Sequence, residues 1–327
     1  MNILSNVIGQ ERARNMLHLL GSSFSRKNKL PPIGVFGNSG LGKTHIVYEF
    51  ANWLNAKVLY INGTAIKDAL SFRASFKEAI NDKSNYYITF IDECHRLPDR
   101  VQDNLLSVLE DPAILCTVAT KEMGNVNCID GIRWIDKGDV IREALPGNMS
   151  FVFATTDPIC LKQTVLSRLR KITLEPYSKM EKAEIAIRYL MSNNIEITNE
   201  LALQLAERSR NIRHLKDDIC ETFIDLNHIK SDENNNKILD IVDDLLGIDS
   251  DGACDADIEY MQYLSTNKIA GLDTLAGVLK TDKKMLLTRI EPFLLEKQWI
   301  TITGKGRKLT KLGYQKLFGK NTETFIE

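Results

Sequence analysis

Eight consecutive residues, Gly37-Asn38-Ser39-Gly40-Leu41-Gly42-Lys43-Thr44, have the GxxxxGK[ST] spacing of a phosphate-binding loop. Glycines at these positions let successive backbone N–H groups turn toward an anion, and a helix opening behind them adds the positive end of its dipole. Lys43 then reaches the β- and γ-phosphates of a nucleotide, and the Thr44 hydroxyl completes a Mg²⁺ shell. About fifty residues on, the apolar run Tyr86–Ile91 ends in Asp92 and Glu93. Acids at the carboxyl end of a buried strand lie where α/β sheets bind their ligands. Asp92 is expected to hold Mg²⁺ through water, and Glu93 to orient and polarise the attacking water. The neighbouring Cys94 and His95 are read as packing residues, since a lone histidine makes no metal triad.

This chemistry needs a frame. Ile33–Phe36, Lys57–Ile61, Tyr86–Ile91 and Ser150–Ala154 read as buried strands, and the patterns Thr44–Asn55 and Val101–Glu110 between them read as helices. Strands alternating with helices predict a parallel, doubly wound α/β sheet. From Lys179 the strand signal stops, and Met180–Asn193, Glu200–Ser209 and His214–Asn227 predict an all-α unit. Asp225 to Asp257 holds ten acidic residues and two lysines, and reads as an exposed connection. The remainder predicts helices over Asp257–Thr266, Leu272–Leu279 and Asp282–Gln298, strands Trp299–Thr303 and Arg307–Thr310 around a Gly-Lys-Gly turn, and a last helix to Phe318. That is the order of a winged helix. The expected domains are 1–178, 179–254 and 255–327.

Composition bounds the rest. With 327 residues, 43% hydrophobic and 26% charged, the chain is long enough for two or three globular units and is neither fibrous nor globally disordered. Its formal net charge is -1, so a nucleic-acid partner must be met by a local basic patch. The six cysteines stand apart without zinc-ligand spacing, and neither a signal peptide nor a membrane span is legible. An intracellular, cytoplasmic protein is expected.

GNSGLGKT with IDECHRL, the opening NVIGQERAR and a strand ending Phe153-Ala154-Thr155-Thr156 resemble the AAA+ ATPases. IDECHRL is similar to the IDEIHRL of the RuvB family. Gly271-Leu272-Asp273-Thr274-Leu275-Ala276, Ile290-Glu291-Pro292-Phe293-Leu294 and Thr303-Gly304-Lys305-Gly306-Arg307 resemble that family's GLDTLA, EPYLI and TPRGR in the same order, so the likeness runs along nearly the whole chain. The resemblance implies a hexameric ring of ATPase subunits that drives branch migration of Holliday junction DNA. It implies that Thr156 is the sensor-1 residue, that Arg168 in Leu166-Ser167-Arg168 is an arginine finger acting on the neighbouring subunit, and that Arg213 is the sensor-2 arginine of a helical lid. Ile8 and Tyr177 fall where the family encloses adenine.

The sequence departs from the family in three places. Asn38-Ser39 replaces Pro-Pro in the loop. Thr156-Asp157-Pro158 followed by Thr164-Val165-Leu166-Ser167-Arg168 looks more like clamp-loader ATPases. Pro112 to Met149 is longer than its counterpart, although Leu115–Val118 and Ile132–Ile135 are expected to form the hairpin that in the family docks on RuvA. Lys297 to Lys320 carries Lys297, Lys305, Arg307, Lys308, Lys311, Lys316 and Lys320 and no acid, which predicts phosphate contacts from the wing, above all by Lys305, Arg307 and Lys308. Two other readings stand beside the motor: a clamp-loader subunit, and a nucleotide-regulated DNA-binding adaptor.

Overall fold

The computed structural model describes residues 4–27, 30–82, 84–110, 114–118, 135–137, 140–144, 148–230 and 234–319. The chain divides into two compact units, Met1–Ser178 and Lys179–Glu327.

The first unit is built on five parallel strands: β1 (Ile33–Phe36), β2 (Lys57–Asn62), β3 (Tyr87–Asp92), β7 (Met149–Thr155) and β8 (Arg170–Thr173). Their order is β2-β3-β7-β1-β8. The three central strands are buried almost throughout, and mostly apolar, because both faces of a parallel sheet are covered. On one face Ile33, Val35, Ile88, Phe90, Val152 and Ala154 pack against the helix Lys43–Trp53 through Ile46, Val47 and Phe50. On the other, Phe36, Tyr87, Ile91, Phe151 and Phe153 meet Leu97, Val101 and Leu105 of the segment running into the helix Asp99–Glu110. Successive residues of each strand thus serve opposite cores, as the pleat requires. The edge strand β8 was not foreseen, since of Arg-Lys-Ile-Thr only Ile172 is buried.

A separate antiparallel sheet holds β4 (Ile114–Val118), β5 (Ile135–Lys137) and β6 (Val140–Ala144) in the order β4-β6-β5. Of the expected hairpin, Leu115–Val118 is a strand, but β4 pairs with β6, Ile114 opposite Ala144 and Val118 opposite Val140, and Ile135 of the expected second arm pairs with Arg142 of β6 instead. Val140 and Ile141 stand opposite Val118 and Thr117 in this register, and β-branched residues favour strands. Residues 111–113, 119–134, 138–139 and 145–147 lie outside the described residues.

In the second unit come the helices Lys179–Ser192 and Asn199–Arg208, the second capped by Thr198, whose hydroxyl accepts from the Leu201 N–H. A wide turn, His214–Cys220, runs into the helix Glu221–Ile229. The acidic stretch expected to be a connection contains a further helix, Asn235–Leu246, which buries Ile238, Leu239 and Val242. Asp240 and Asp244 occupy its exposed face and Asp243 pairs with the buried Arg208, so charge counting hid an amphipathic pattern. Helices Asp255–Asn267 and Leu272–Val278 follow, then a continuous helical run from Lys283 to Glu296. Within it the turn Leu286–Ile290 widens just before Pro292, which has no N–H to return to the preceding turn. The hairpin β9 (Ile300–Thr303) with β10 (Gly306–Leu309) and the helix Lys311–Phe318 close the chain's described part.

Candidate functional site

The carboxyl ends of β3, β7 and β1 are neighbours, and each delivers one part of the site. After β1 the loop turns through Gly37, Gly40 and Gly42 at φ 156°, 79° and 82°, angles that side chains resist. A Cβ on Gly42 would also stand 3.1 Å from the Tyr177 hydroxyl. Asn38, Ser39 and Thr44 are exposed, while Leu41 and Lys43 are buried. The Lys43 ammonium donates to the carbonyls of Gly37, at 2.8 Å, and Asn38, at 2.9 Å, which holds the loop closed.

From β3, Asp92 faces this loop. Its Oδ2 accepts from the Thr44 hydroxyl at 3.5 Å and from the Tyr60 hydroxyl at 3.4 Å, and its Oδ1 accepts from the Glu93 N–H at 2.9 Å. Burial, then the Asp92 charge, raises the Tyr60 pKa above its ordinary value, so Tyr60 stays a donor. Hard oxygens from Thr44 and Asp92 suit Mg²⁺, which takes most of its shell from phosphates and water. Among the described residues no cluster of three or more His, Cys, Asp or Glu could hold a metal alone.

Glu93 sits in the left-handed region at φ 48°, ψ 42°, where the chain leaves β3 for the turn Cys94–Arg96. Its carbonyl passes so close to Gly63 that a Cβ there would lie 2.5 Å away. Its Oε2 accepts from the Thr156 hydroxyl at 3.3 Å, and the His95 Nδ1 lies 3.2 Å from the same oxygen. That ring nitrogen is also 2.8 Å from the Thr155 hydroxyl oxygen, which takes the Asp157 N–H at 2.9 Å. An Nδ1–H serves both acceptors. The structure therefore brings Glu93, Thr156 and the unforeseen His95 together. No sequence pattern marks that contact, which depends on the tight turn Cys94–Arg96. Cys94 is fully buried, and burial pushes its thiol pKa up, as expected of packing.

The opening segment flanks the loop. Ile8 is buried, and the Gln10 amide bridges Glu175 in both directions, at 2.7 and 2.9 Å. Tyr177 donates to the Leu41 carbonyl at 3.3 Å. Arg168 is exposed, just past the short helix Gln163–Leu166. It donates to the Thr164 carbonyl at 2.8 Å and to the Glu110 carboxylate at 2.7 Å. Arg213 is exposed in the second unit, at the start of the turn His214–Cys220.

In the wing, Lys305 and Lys308 are exposed as expected, and so is Lys311. Arg307 is not available in the same way. Its guanidinium takes both oxygens of Glu291, at 2.8 and 3.1 Å, and Glu291 also accepts from the buried Tyr260 hydroxyl at 2.8 Å. Glu291 is 2% exposed, so Arg307 neutralises a buried acid. Lys297 is bound by Glu207 and Lys316 by Asp249 and Asp251. The acid-free run in sequence meets its acids in space. Lys320 lies outside the described residues.

Two family descriptions match the chain: the Holliday junction DNA helicase RuvB P-loop domain over residues 1–131, and the RuvB C-terminal winged helix domain over 250–318. Similar curated proteins include Holliday junction branch migration complex subunit RuvB from Mesomycoplasma hyopneumoniae, 27% identical over 94% of this chain and 93% of that one. The RuvB subunit from Prochlorococcus marinus is 26% identical over 98% of this chain and 87% of its own. A solved RuvB variant from Thermotoga maritima superposes with TM-score 0.71 at 25% identity, covering 97% and 98% of the two chains. No described helix is long and apolar enough to cross a membrane.

Proposed function

This chain belongs to the RuvB family, and from that membership we propose that it is an ATP-driven motor for branch migration of Holliday junction DNA, working as a homo-oligomeric ring, hexameric as in the family. Residues 1–178 form the nucleotide-binding domain, 179–254 the lid and 255–327 the winged helix. The observation that carries the reading is the convergence of the phosphate loop, Asp92 with Glu93, and Thr156 at the ends of three adjacent strands.

ATP lies along Gly37–Thr44, with its adenine between Ile8 and Tyr177. Lys43 exchanges its two loop carbonyls for β- and γ-phosphate oxygens. Thr44 and Asp92 would hold Mg²⁺, which would supply positive charge against that building on the phosphates. Glu93, held by Thr156 and His95, orients the attacking water and draws off its proton. Arg168 releases Glu110 and enters the next subunit's site, where a guanidinium stabilises the transition state. Arg213 senses the γ-phosphate from the lid, and Lys305 and Lys308 hold DNA phosphates without reading sequence. A RuvA-like junction-binding protein docks through 112–149, and the motor works in the cytoplasm.

Glu93→Gln tests the chemistry. It should bind ATP nearly as well as the parent and hydrolyse it about 10²–10⁴-fold more slowly, because the amide keeps the shape and loses the base. Turnover above about a tenth of the parent rate removes Glu93 from this role. Unidirectional movement of junction arms separates a motor from a DNA-binding adaptor; opening of a sliding clamp without such movement identifies a loader.

A further inference from the structure

Arg210, three residues before Arg213, projects from the end of the lid into the base of the winged helix. One guanidinium nitrogen, Nη2, donates to Asp257 Oδ2 and to the Cys254 sulfur at 3.2 Å. The other, Nη1, lies 3.5 Å from Asp257 Oδ1 and 3.4 Å from the Arg289 carbonyl. The guanidinium carbon stands 4.3 Å from the centre of the Phe293 ring. Asp257 is wholly buried and also accepts the Cys254 N–H, capping the first helix of the winged helix. The Arg210 N–H in turn donates to His214 Nδ1 at 3.3 Å. A single lid residue thus holds an acid, a carbonyl and an aromatic ring of the DNA-binding part.

Two further ties run alongside. Lys297 donates to the Glu207 carbonyl at 2.9 Å and carboxylate at 2.5 Å, and Lys182 donates to the Ser209 carbonyl at 3.1 Å and to Glu296 at 3.3 Å. The connecting segment is not a free hinge. Lys316 holds both Asp249 and Asp251, Ile248 bridges Cys254, and Gly252 lies so tightly under Arg208 that a Cβ would meet its carbonyl oxygen at 2.2 Å.

We propose that Arg210 is a positioning residue that makes lid and winged helix one lever, so that a nucleotide-driven movement of the lid is delivered whole to the DNA. The proposal rests on the motor reading for its purpose; the lever itself is a property of this unit. Arg210's guanidinium is taken up by contacts within this unit. It transmits the position of one turn, Ser209–Arg213, to the wing.

The full-length protein can be probed with a carbodiimide, which converts touching Lys and Glu pairs to amides without a spacer. Peptide mass spectrometry should find the Lys297–Glu207 and Lys182–Glu296 links at yields equal within about twofold with ADP, with a non-hydrolysable ATP analogue, and with either plus duplex DNA. Loss of both links by more than about fivefold in any of these states means that the seam opens and overturns the lever. Arg210→Gln should lower base pairs migrated per ATP hydrolysed by about tenfold, with ATP turnover in the absence of DNA within about threefold of the parent, and Arg210→Lys should recover part of the loss. An unchanged ratio in a folded Gln variant overturns the role of Arg210. If that variant fails to fold, the cross-link yields of the parent decide. Should the parent hydrolyse ATP and move no junction while its links persist, the motor reading falls and the lever stands.

Discussion

The guanidinium of Arg168, the proposed finger, is shared between the Thr164 carbonyl and the Glu110 carboxylate. The pair is solvent-exposed and so worth at most about 1 kcal/mol, a small barrier to exchanging Glu110 for a phosphate. Arg168→Ala should abolish turnover while ATP binding persists, and Lys43→Ala should lose binding itself. Mixed in equal amounts, the two inactive proteins should regain activity, because about a quarter of interfaces then unite a sound loop with a sound finger. Rings shown to be mixed and yet inactive rule out action in trans. Most of this site was legible residue by residue, since the phosphate loop and the paired acids carry their chemistry in their spacing. His95 was not, because its contact with Glu93 depends on a turn whose geometry, φ 48° at Glu93, no local sequence pattern announces.

At the scale of elements, buried strands with continuous apolar runs were readable and the edge was not. Ile33–Phe36 was found to the residue, whereas β8 presents one buried residue in four. The helix Asn235–Leu246 was hidden under its own charges, although Ile238, Leu239 and Val242 mark its inner face. The wing shows the converse error, in which a run of cations looked uniform and its members have different employers. Lys305→Ala with Lys308→Ala should weaken DNA binding equally on unrelated duplexes and flatten the plot of log affinity against log salt by about 0.9 per lost contact. Arg307→Ala should behave differently. It strands Glu291 and should cost about 3–5 kcal/mol of stability in denaturant unfolding, with the salt slope of any folded fraction unchanged. A slope change without destabilisation would return Arg307 to the DNA.

Across the whole molecule, the acids that pin the second unit make its stability depend on pH in a definite direction. Burial alone would raise the Glu207 pKa, but the ammonium groups of Lys179 and Lys297 outweigh it and hold the carboxyl at about 2. In the unfolded chain a glutamate titrates near about 4.3. Because the folded value is the lower, the stabilisation is complete above about pH 4.3 and disappears as pH falls through about 2. Denaturant midpoints followed from pH 6 down should decline over that window, and the decline should be shallower in Glu207→Gln. Identical declines would mean that Glu207 contributes nothing to acid sensitivity.

The internal use of Arg307, Lys297 and Lys316 has a further effect on how the protein meets DNA. It leaves Lys305, Lys308 and Lys311 as the exposed cations of the described part of the 297–320 run, beside Lys268, Lys280, Lys284 and Arg289 elsewhere in the winged helix, in a chain whose net charge is -1. Fewer free charges in that run weaken the phosphate grip of one subunit, and repetition adds to it. In the proposed ring each wing holds weakly while its neighbours keep the duplex at high effective concentration, so total avidity far exceeds any single contact. Weak individual holds are what allow one subunit to let go and step without the assembly falling off, and a wing with all seven charges free would cling too tightly to move.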